Sequence, residues 1–430
     1  MNPNRFATRS LADPRILRIL SSALDAVDPA KAVQKHLPNV DGNVYGLGIG
    51  KASIPMLTAL AEALPLSGAL AIGKHASSLD PSLQLRTSLF PILLGGHPVP
   101  SQDSLRAGEH ALNFVSALGE DDTLICLISG GGSALMTAPH EGISLEDIQA
   151  LTSLLLASGA AIDEINTLRR QLDRVKGGGL ARATKARVIS LILSDVIGNP
   201  LEAIASGPTV PDPTTSEDAI AVLKKYEIEE QAPDSIRDCL SKTLPSQSIV
   251  EDGGWSTRVS NTIIGDNKLA AITAMEQARK GGFGAEILTN ELQGEAREVG
   301  VMLAKKLRGE TTIRQHPFCL IVGGETTVTI RGNGKGGRNQ ELALAAVNEL
   351  KGLDNVILIS LATDGEDGPT DAAGAVATGE SARRAESLGF DAADYLSRND
   401  AYHFFEGLDD LIRTGPSGTN VNDLVFLFGM

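Results

Sequence analysis

Thr123-Leu124-Ile125-Cys126-Leu127-Ile128-Ser129-Gly130-Gly131-Gly132-Ser133 is the stretch of this 430-residue chain whose reading decides the fold class. Its near-continuous apolar run reads as a buried strand over 123–129, closed by a glycine turn that opens a helix. Three consecutive glycines forfeit helix propensity and cost backbone entropy, so a close backbone approach to a phosphate gives a reason to tolerate them.

The same grammar recurs on both sides. Short apolar runs at 44–47, 69–72 and 188–194 read as strands. Helical stretches lie between them. One covers 101–118, with Leu105, Ala111, Leu112, Val115 and Leu118 at apolar positions. Another starts at Ser144, with Asp147 as a capping-box partner, and stops near Gly159. Alternation of this kind predicts an α/β architecture with parallel strands. At the N-terminus, Asp13-Pro14 reads as an N-cap followed by Pro at the first helical position. Ile16, Leu17, Leu20, Leu24 and Val27 then form one apolar face, a helix and not a signal peptide.

From Pro211 to Trp255 the character changes. Prolines 211, 213, 233 and 245 punctuate a polar region, and Glu251-Asp252-Gly253-Gly254 reads as a linker. The expected domains are therefore 1–250 and 251–430. Strands are expected in the second at 259–264, 285–288, 319–322, 327–330, 356–362 and 424–428, with 319–322 and 327–330 forming a hairpin. That makes the second domain mixed α/β.

Composition removes several function classes. The chain carries 38 Lys+Arg against 53 Asp+Glu, a formal charge of −15, with 45 glycines and 3% aromatics. At 42% apolar it is not disordered, and its glycines show no collagen period. An acidic balance argues against a nucleic-acid partner, and so few aromatics leave little for base stacking. No uncharged apolar run reaches the ~18–20 residues of a membrane span; the longest, 151–162, reads as a buried helix. Cys126, Cys239 and Cys319 are widely spaced and read as structural thiols in a reducing, cytoplasmic setting.

Glycine at strand ends carries the chemistry, because ligands of open α/β sheets bind outside the carboxyl ends of the strands. Gly48-Ile49-Gly50-Lys51-Ala52-Ser53 follows the first strand and suits an anion, with Lys51 adding a point charge. It fails as a Walker A motif. It also fails as a dinucleotide fingerprint, since Ser53 stands at the third glycine and no acid lies ~20 residues on. Asp195 follows the 188–194 strand and can hold Mg²⁺ or accept a proton. Gly323-Gly324-Glu325 and the loop from Gly332 to Arg338 put Lys335 and a bidentate Arg before a helix over 341–350. Asp364, Glu366, Asp367 and Asp371 crowd the loop after 356–362 without calcium-loop spacing. His97, in Gly95-Gly96-His97-Pro98, is as compatible with a turn-stabilising role as with a catalytic one.

Taken together these segments resemble the glycerate 2-kinase family, the class II glycerate kinases whose C-terminal portion is the MOFRL domain. The resemblance rests on GIGKAS (48–53), GGHPVP (95–100), SGGGSAL (129–135), LRRQLDRVKGGGLA (168–181) and LSDVIGN…ASGPT (193–209). It continues through GGETTV (323–328), GKGGRNQELAL (334–344), TDGEDGPTDAAGA (363–375) and TGPSGTNVNDL (414–424). It implies a Rossmann-like N-terminal domain, a smaller mixed-sheet MOFRL domain and a site in the cleft between them. The implied activity is transfer of the γ-phosphoryl group of ATP to D-glycerate with Mg²⁺, giving 2-phosphoglycerate. A homodimer is compatible with it.

Residue by residue, Lys51 and Arg338 match the family's lysine and arginine regarded as catalytic, and Asp195 its motif aspartate. ATP phosphates are expected at Ser129, Gly130, Gly131, Gly132, Ser133, Lys176, Gly177, Gly336 and Gly337. Glycerate is expected at Lys51, Arg338, Glu325 and Asn339, and Mg²⁺ at Asp195 and Asp364. Two departures appear: Asn199 stands where many members carry Asp, and Ser417 where Thr is common. Two alternatives are an NAD(P)H-dependent hydroxypyruvate reductase, which the failed fingerprint disfavours, and a non-catalytic sugar-acid or nucleotide sensor.

Overall fold

The structure is a computed structural model that describes residues 1–74, 89–242 and 254–430. Two compact units divide the chain, one formed by Pro29–Ile264 and the other by Met1–Asp28 with Gly265–Met430.

The first unit is built on six strands: β1 (Val44–Ile49), β2 (Gly68–Lys74), β3 (Ile92–Gly95), β4 (Thr123–Ile128), β5 (Arg187–Leu193) and β6 (Val259–Gly265). Their order, β3-β2-β1-β4-β5-β6, forms an all-parallel sheet. Every residue of β4 is buried, as its unbroken apolar run requires when helices cover both faces of a sheet. Leu47, Ile49, Cys126 and Ile128 pack with Val115, Leu135 and Leu180 in one core. The chain runs outward from β1 through β2 to β3, then returns to β4 on the other side of β1. That reversal between β1 and β4 is where such sheets open a crevice for ligands. The register pairs Ile49 with Ile128, so the loops after β1 and β4 start level with each other.

The second unit carries β7 (Gly284–Leu292), β8 (Phe318–Gly324), β9 (Val356–Ala362), β10 (Gly374–Thr378), β11 (Leu411–Ile412) and β12 (Asp423–Gly429). They form a mixed sheet in the order β11-β10-β9-β12-β8-β7. Only β7 and β8 pair in parallel; the remaining pairs are antiparallel.

Several expectations are corrected. Residues 327–330 form no strand, and Thr327 makes a single bridge to Glu295. The hairpin is impossible because β8 is flanked by β7 and β12 and has no free edge. The strand expected at 259–264 in the second domain is β6, the edge of the first sheet. Asn261 ties it there by accepting from Thr209 Oγ1 at 2.8 Å and donating to the Thr209 carbonyl at 3.2 Å. The helix Pro14–Ala26 belongs with the C-terminal unit, its apolar face buried against the helix Asn267–Lys280. A single cut near 250 therefore misses both exchanges; Pro245 and residues 251–253 of the expected linker lie outside the described residues. The run 151–162 is two helices, Leu145–Ala157 and Ile162–Leu172, and Leu156 and Ile162 are exposed. β3, β10 and β11 were not foreseen. None of the three cysteines is in a disulfide, and Cys126 and Cys319 are buried. Among the described residues no helix is long and apolar enough to cross a membrane.

Candidate active site

In the first unit the loops after β1 and β4 are stitched together by hydrogen bonds. Ser129 N–H donates to the Ile49 carbonyl at 2.9 Å and Lys51 N–H to the Gly130 carbonyl at 2.9 Å. Ser129 Oγ accepts from Ala52 N–H at 3.0 Å. Gly50 has a φ of 114°, and a Cβ there would lie 2.3 Å from the Ser129 carbonyl oxygen, so no other residue fits. Gly130 is pressed against Asp195: a Cβ would stand 1.8 Å from Asp195 Oδ2. The glycine loop and the aspartate thus meet, as their strand-end positions predict.

Gly131 faces Lys51 and His97; a Cβ on it would reach His97 Cδ2 at 3.1 Å and Lys51 Cγ at 3.3 Å. Burial pushes the His97 imidazole down to about 4, and the charges of Lys51, Lys74 and Arg169 add to the effect. His97 is therefore neutral at pH 7 inside a cationic neighbourhood. This local cluster answers the −15 charge of the whole chain, which on its face opposes anionic ligands. Lys74 and Arg169 were not singled out from sequence. Lys74 ends β2, and Arg169 sits on a helix distant in sequence, so only the fold joins them to the loop.

Behind the loop, Ser133 Oγ lies 2.7 Å from Ser206 Oγ, which donates to Asn166 Oδ1 at 3.2 Å. Ala205, Ser206 and Gly207 all have left-handed backbone, with φ of 51°, 59° and 61°. For Ala and Ser that conformation is strained and must be held by its surroundings. Gly177 N–H donates to the Ser206 carbonyl at 3.0 Å and Gly178 N–H to that of Gly207 at 2.7 Å, which supplies the hold. Lys176, expected on the phosphates, is 3% exposed; its ammonium pairs with Asp173 and donates to the Met136 carbonyl at 3.2 Å. Lys176 and Gly177 thus make their contacts within the protein, to Asp173, Met136 and Ser206.

In the second unit a different kind of site forms at Arg338, the first residue of the helix Arg338–Leu350. Its Nε donates to Asp423 Oδ2 at 2.6 Å, its Nη2 to Asp423 Oδ1 at 3.1 Å, and its Nη1 to Glu325. Sheet register brings these together: Asp423 opens β12 opposite Gly324, the residue before Glu325. Asp367 accepts from the main-chain N–H of Asn339 at 3.1 Å and of Gln340 at 2.9 Å, capping the same helix. Burial pushes Asp367 up to about 7. Burial likewise raises Asp423, to about 6, against the opposing Arg338 charge, which leaves it ionised at neutral pH.

Asn339, expected on the substrate, is buried; its amide donates to Asp367 at 3.3 Å and its carbonyl accepts from Ser360 Oγ at 2.6 Å. It holds the helix start. Glu325 is half-exposed and pairs with Arg338. Gly337 is the residue before the helix and lies against Asp367, while Gly336 lies against Asn399 and Ala401. Lys335 Nζ sits 3.9 Å above the Tyr402 ring. Asp364 accepts from Glu366 N–H at 3.1 Å in its own loop. Among the described residues no group of three or more His, Cys, Asp or Glu is arranged to hold a metal ion.

Residues 15–241 match the family described as a domain of unknown function, DUF4147, and residues 318–423 match the MOFRL family. A D-glycerate 2-kinase of Thermotoga maritima is 42% identical over 95% of this chain and 96% of that protein. A protein of Agrobacterium vitis named putative hydroxypyruvate reductase is 38% identical over 95% of this chain and 92% of its own. The solved structure of the Thermotoga maritima glycerate kinase matches with a TM-score of 0.86 at 41% identity, over 96% of this chain and 98% of that one.

Proposed function

The chain belongs to the glycerate 2-kinase family, carrying a DUF4147 domain followed by a MOFRL domain, and from that premise we propose that it phosphorylates D-glycerate with ATP on the 2-hydroxyl, giving 2-phosphoglycerate. The glycine loop at residues 129–133 carries this reading. It sits at the switch point of a parallel sheet with Lys51, His97, Lys74 and Arg169 around it, which suits a polyphosphate.

Phosphoryl transfer passes through a loose transition state that asks for positioning and charge neutralisation more than covalent chemistry. In this reading the N–H groups of Gly130, Gly131 and Gly132 hold ATP phosphates, and Lys51 neutralises the migrating group. His97, lowered to about 4, stays uncharged and is too weak a base to take the proton of the attacking hydroxyl, so it offers a hydrogen bond only. Asp195, beside Gly130, orients that hydroxyl. Arg338 receives an anionic group of the substrates.

Mg²⁺ fits as an ion carried mainly on the nucleotide phosphates, since such ions rely on substrate phosphates more than on protein cages. When bound, it neutralises charge on the phosphate oxygens. Three cysteines with no disulfide among them support a cytoplasmic setting. A homodimer would read by light scattering at twice the 45.0 kDa chain mass.

Phosphorus NMR of the product from ATP, Mg²⁺ and D-glycerate tests the function. A 2-phosphoglycerate signal is expected. A product with no phosphoester of glycerate overturns the reading. Oxidation of NAD(P)H by hydroxypyruvate without ATP would support the reductase name instead, although β2 ends on Lys74 where a ribose-binding acid would be needed.

A further inference from the structure

Arg338 is more tightly held than its place on a glycine-rich loop suggests. A guanidinium has five N–H donors in a rigid fork. Asp423 takes Nε and Nη2 in a two-point contact at 2.6 and 3.1 Å, and Glu325 takes one donor of Nη1. Two donors remain. Asp423 is only 7% exposed whereas Glu325 is 42% exposed, so the first contact is walled in and the second is open to exchange. The backbone beneath is fixed as well. Asp367 is 1% exposed and receives the N–H groups of Asn339 and Gln340, so the first turn of the helix cannot fray.

We propose that Asp423 and Asp367 are positioning residues for Arg338, Asp423 fixing the plane of the guanidinium and Asp367 fixing the helix turn that carries it. Resting on the kinase reading above, the proposal assigns Glu325 the exchangeable place at the fork, where a substrate anion enters. A side chain with four freely rotating bonds then reaches the reaction already oriented. Its ordering entropy is met on folding and not on binding, which is how preorganised cations act most strongly on a transition state. A lysine at 338 could not serve, because a single ammonium offers no edge for a two-point contact.

Steady-state kinetics of a mutant cycle test this. Asp423→Asn is expected to lower kcat by ~10–100-fold, the range seen when a supporting partner of a site residue is removed, with a smaller change in either KM. In an Arg338→Ala background the same substitution should cost nothing further, because there is no guanidinium left to orient. An equal loss in both backgrounds would mean a structural role only and overturns the proposal. Should Asp423→Asn fail to fold, Asp367→Asn is measured in the same two backgrounds, with a loss of ~10-fold expected in the first only. Nitrogen–proton NMR supplies a readout independent of catalysis. The Arg338 Nε–H signal should exchange slowly in the native chain and rapidly in Asp423→Asn. An unchanged signal overturns the proposal, whereas absent glycerate phosphorylation by the native chain would refute the function reading alone.

Discussion

The glycine loop of the first unit and the Arg338 cluster of the second, the two places proposed to meet anionic substrates, are built from opposite materials. Around residues 129–133 glycines remove side chains, so that the main chain lies directly against Asp195, His97 and Lys51. The cations there are gathered loosely around a neutral His97. Around Arg338 the main chain is capped and closed, and one guanidinium is clamped between a buried and an exposed carboxylate. A backbone cradle tolerates ligands of varied shape. A clamped fork demands one geometry. The contrast is between a loop that exposes main chain and a side chain fixed by its neighbours.

The largest effect should separate charge from scaffold. Lys51→Ala is expected to lower turnover by ~10³–10⁵, as for other cations that face a transferring phosphoryl group, while thermal stability stays near native. Near-native turnover in that variant would falsify the assignment. Next comes Lys176→Met, which strands the buried Asp173 charge. Breaking a buried pair from one side costs about 3–5 kcal/mol, so chemical denaturation should show a large loss, whereas the KM for ATP of the folded fraction should barely move. A raised KM with unaltered stability would return Lys176 to the phosphates.

Gly130→Ala is a milder test of the cradle. Its methyl would overlap Asp195, so the loop must shift, at about 1–3 kcal/mol of overpacking, and the KM for ATP should rise more than that for glycerate. Equal rises would argue that Asp195 serves both substrates.

The smallest effect is in pH dependence, where the two regions have opposite signs. Asp367 titrates near 7 when folded and near 3.9 when unfolded, so the folded chain holds the extra proton between these values. Stability from this group is full below about pH 4 and is lost as pH rises towards 7. His97 titrates near 4 when folded and near 6.5 when unfolded, so its contribution grows over pH 4–6.5. Melting scans from pH 5 to 8 should show Asp367→Asn gaining on the native chain as pH rises. Over pH 5 to 6.5 His97→Gln should fall behind it. Parallel curves would show that neither group is perturbed.

Legibility followed the same divide. Backbone-built features announce themselves locally: 129–133, Gly50-Lys51 and Asp195 each sit where a strand ends, and the structure gathers them. Sequence reading went astray where glycines serve packing. Lys176 and Gly177 read as phosphate ligands, but the Lys176 ammonium is buried on Asp173 and Gly177 N–H donates to the strained 205–207 turn. Asn339 looked like a polar ligand but is enclosed by Asp367 and Ser360. The Asp423 contact was unreadable in principle, since it depends on Asp423 standing opposite Gly324 across two strands a hundred residues apart.

The alternation of apolar runs, helical faces and glycine turns was sufficient for the fold class and for the phosphate-facing loop, because strand burial and turn conformation are set by neighbours in sequence. Strand order, the exchange of residues 1–28 and 259–264 between units, and the clamp on Arg338 depended on which strand edges were already taken and which charges burial forced into pairs. Those are properties of long-range packing, where a residue's partner is chosen by register and desolvation and leaves no trace in its immediate sequence.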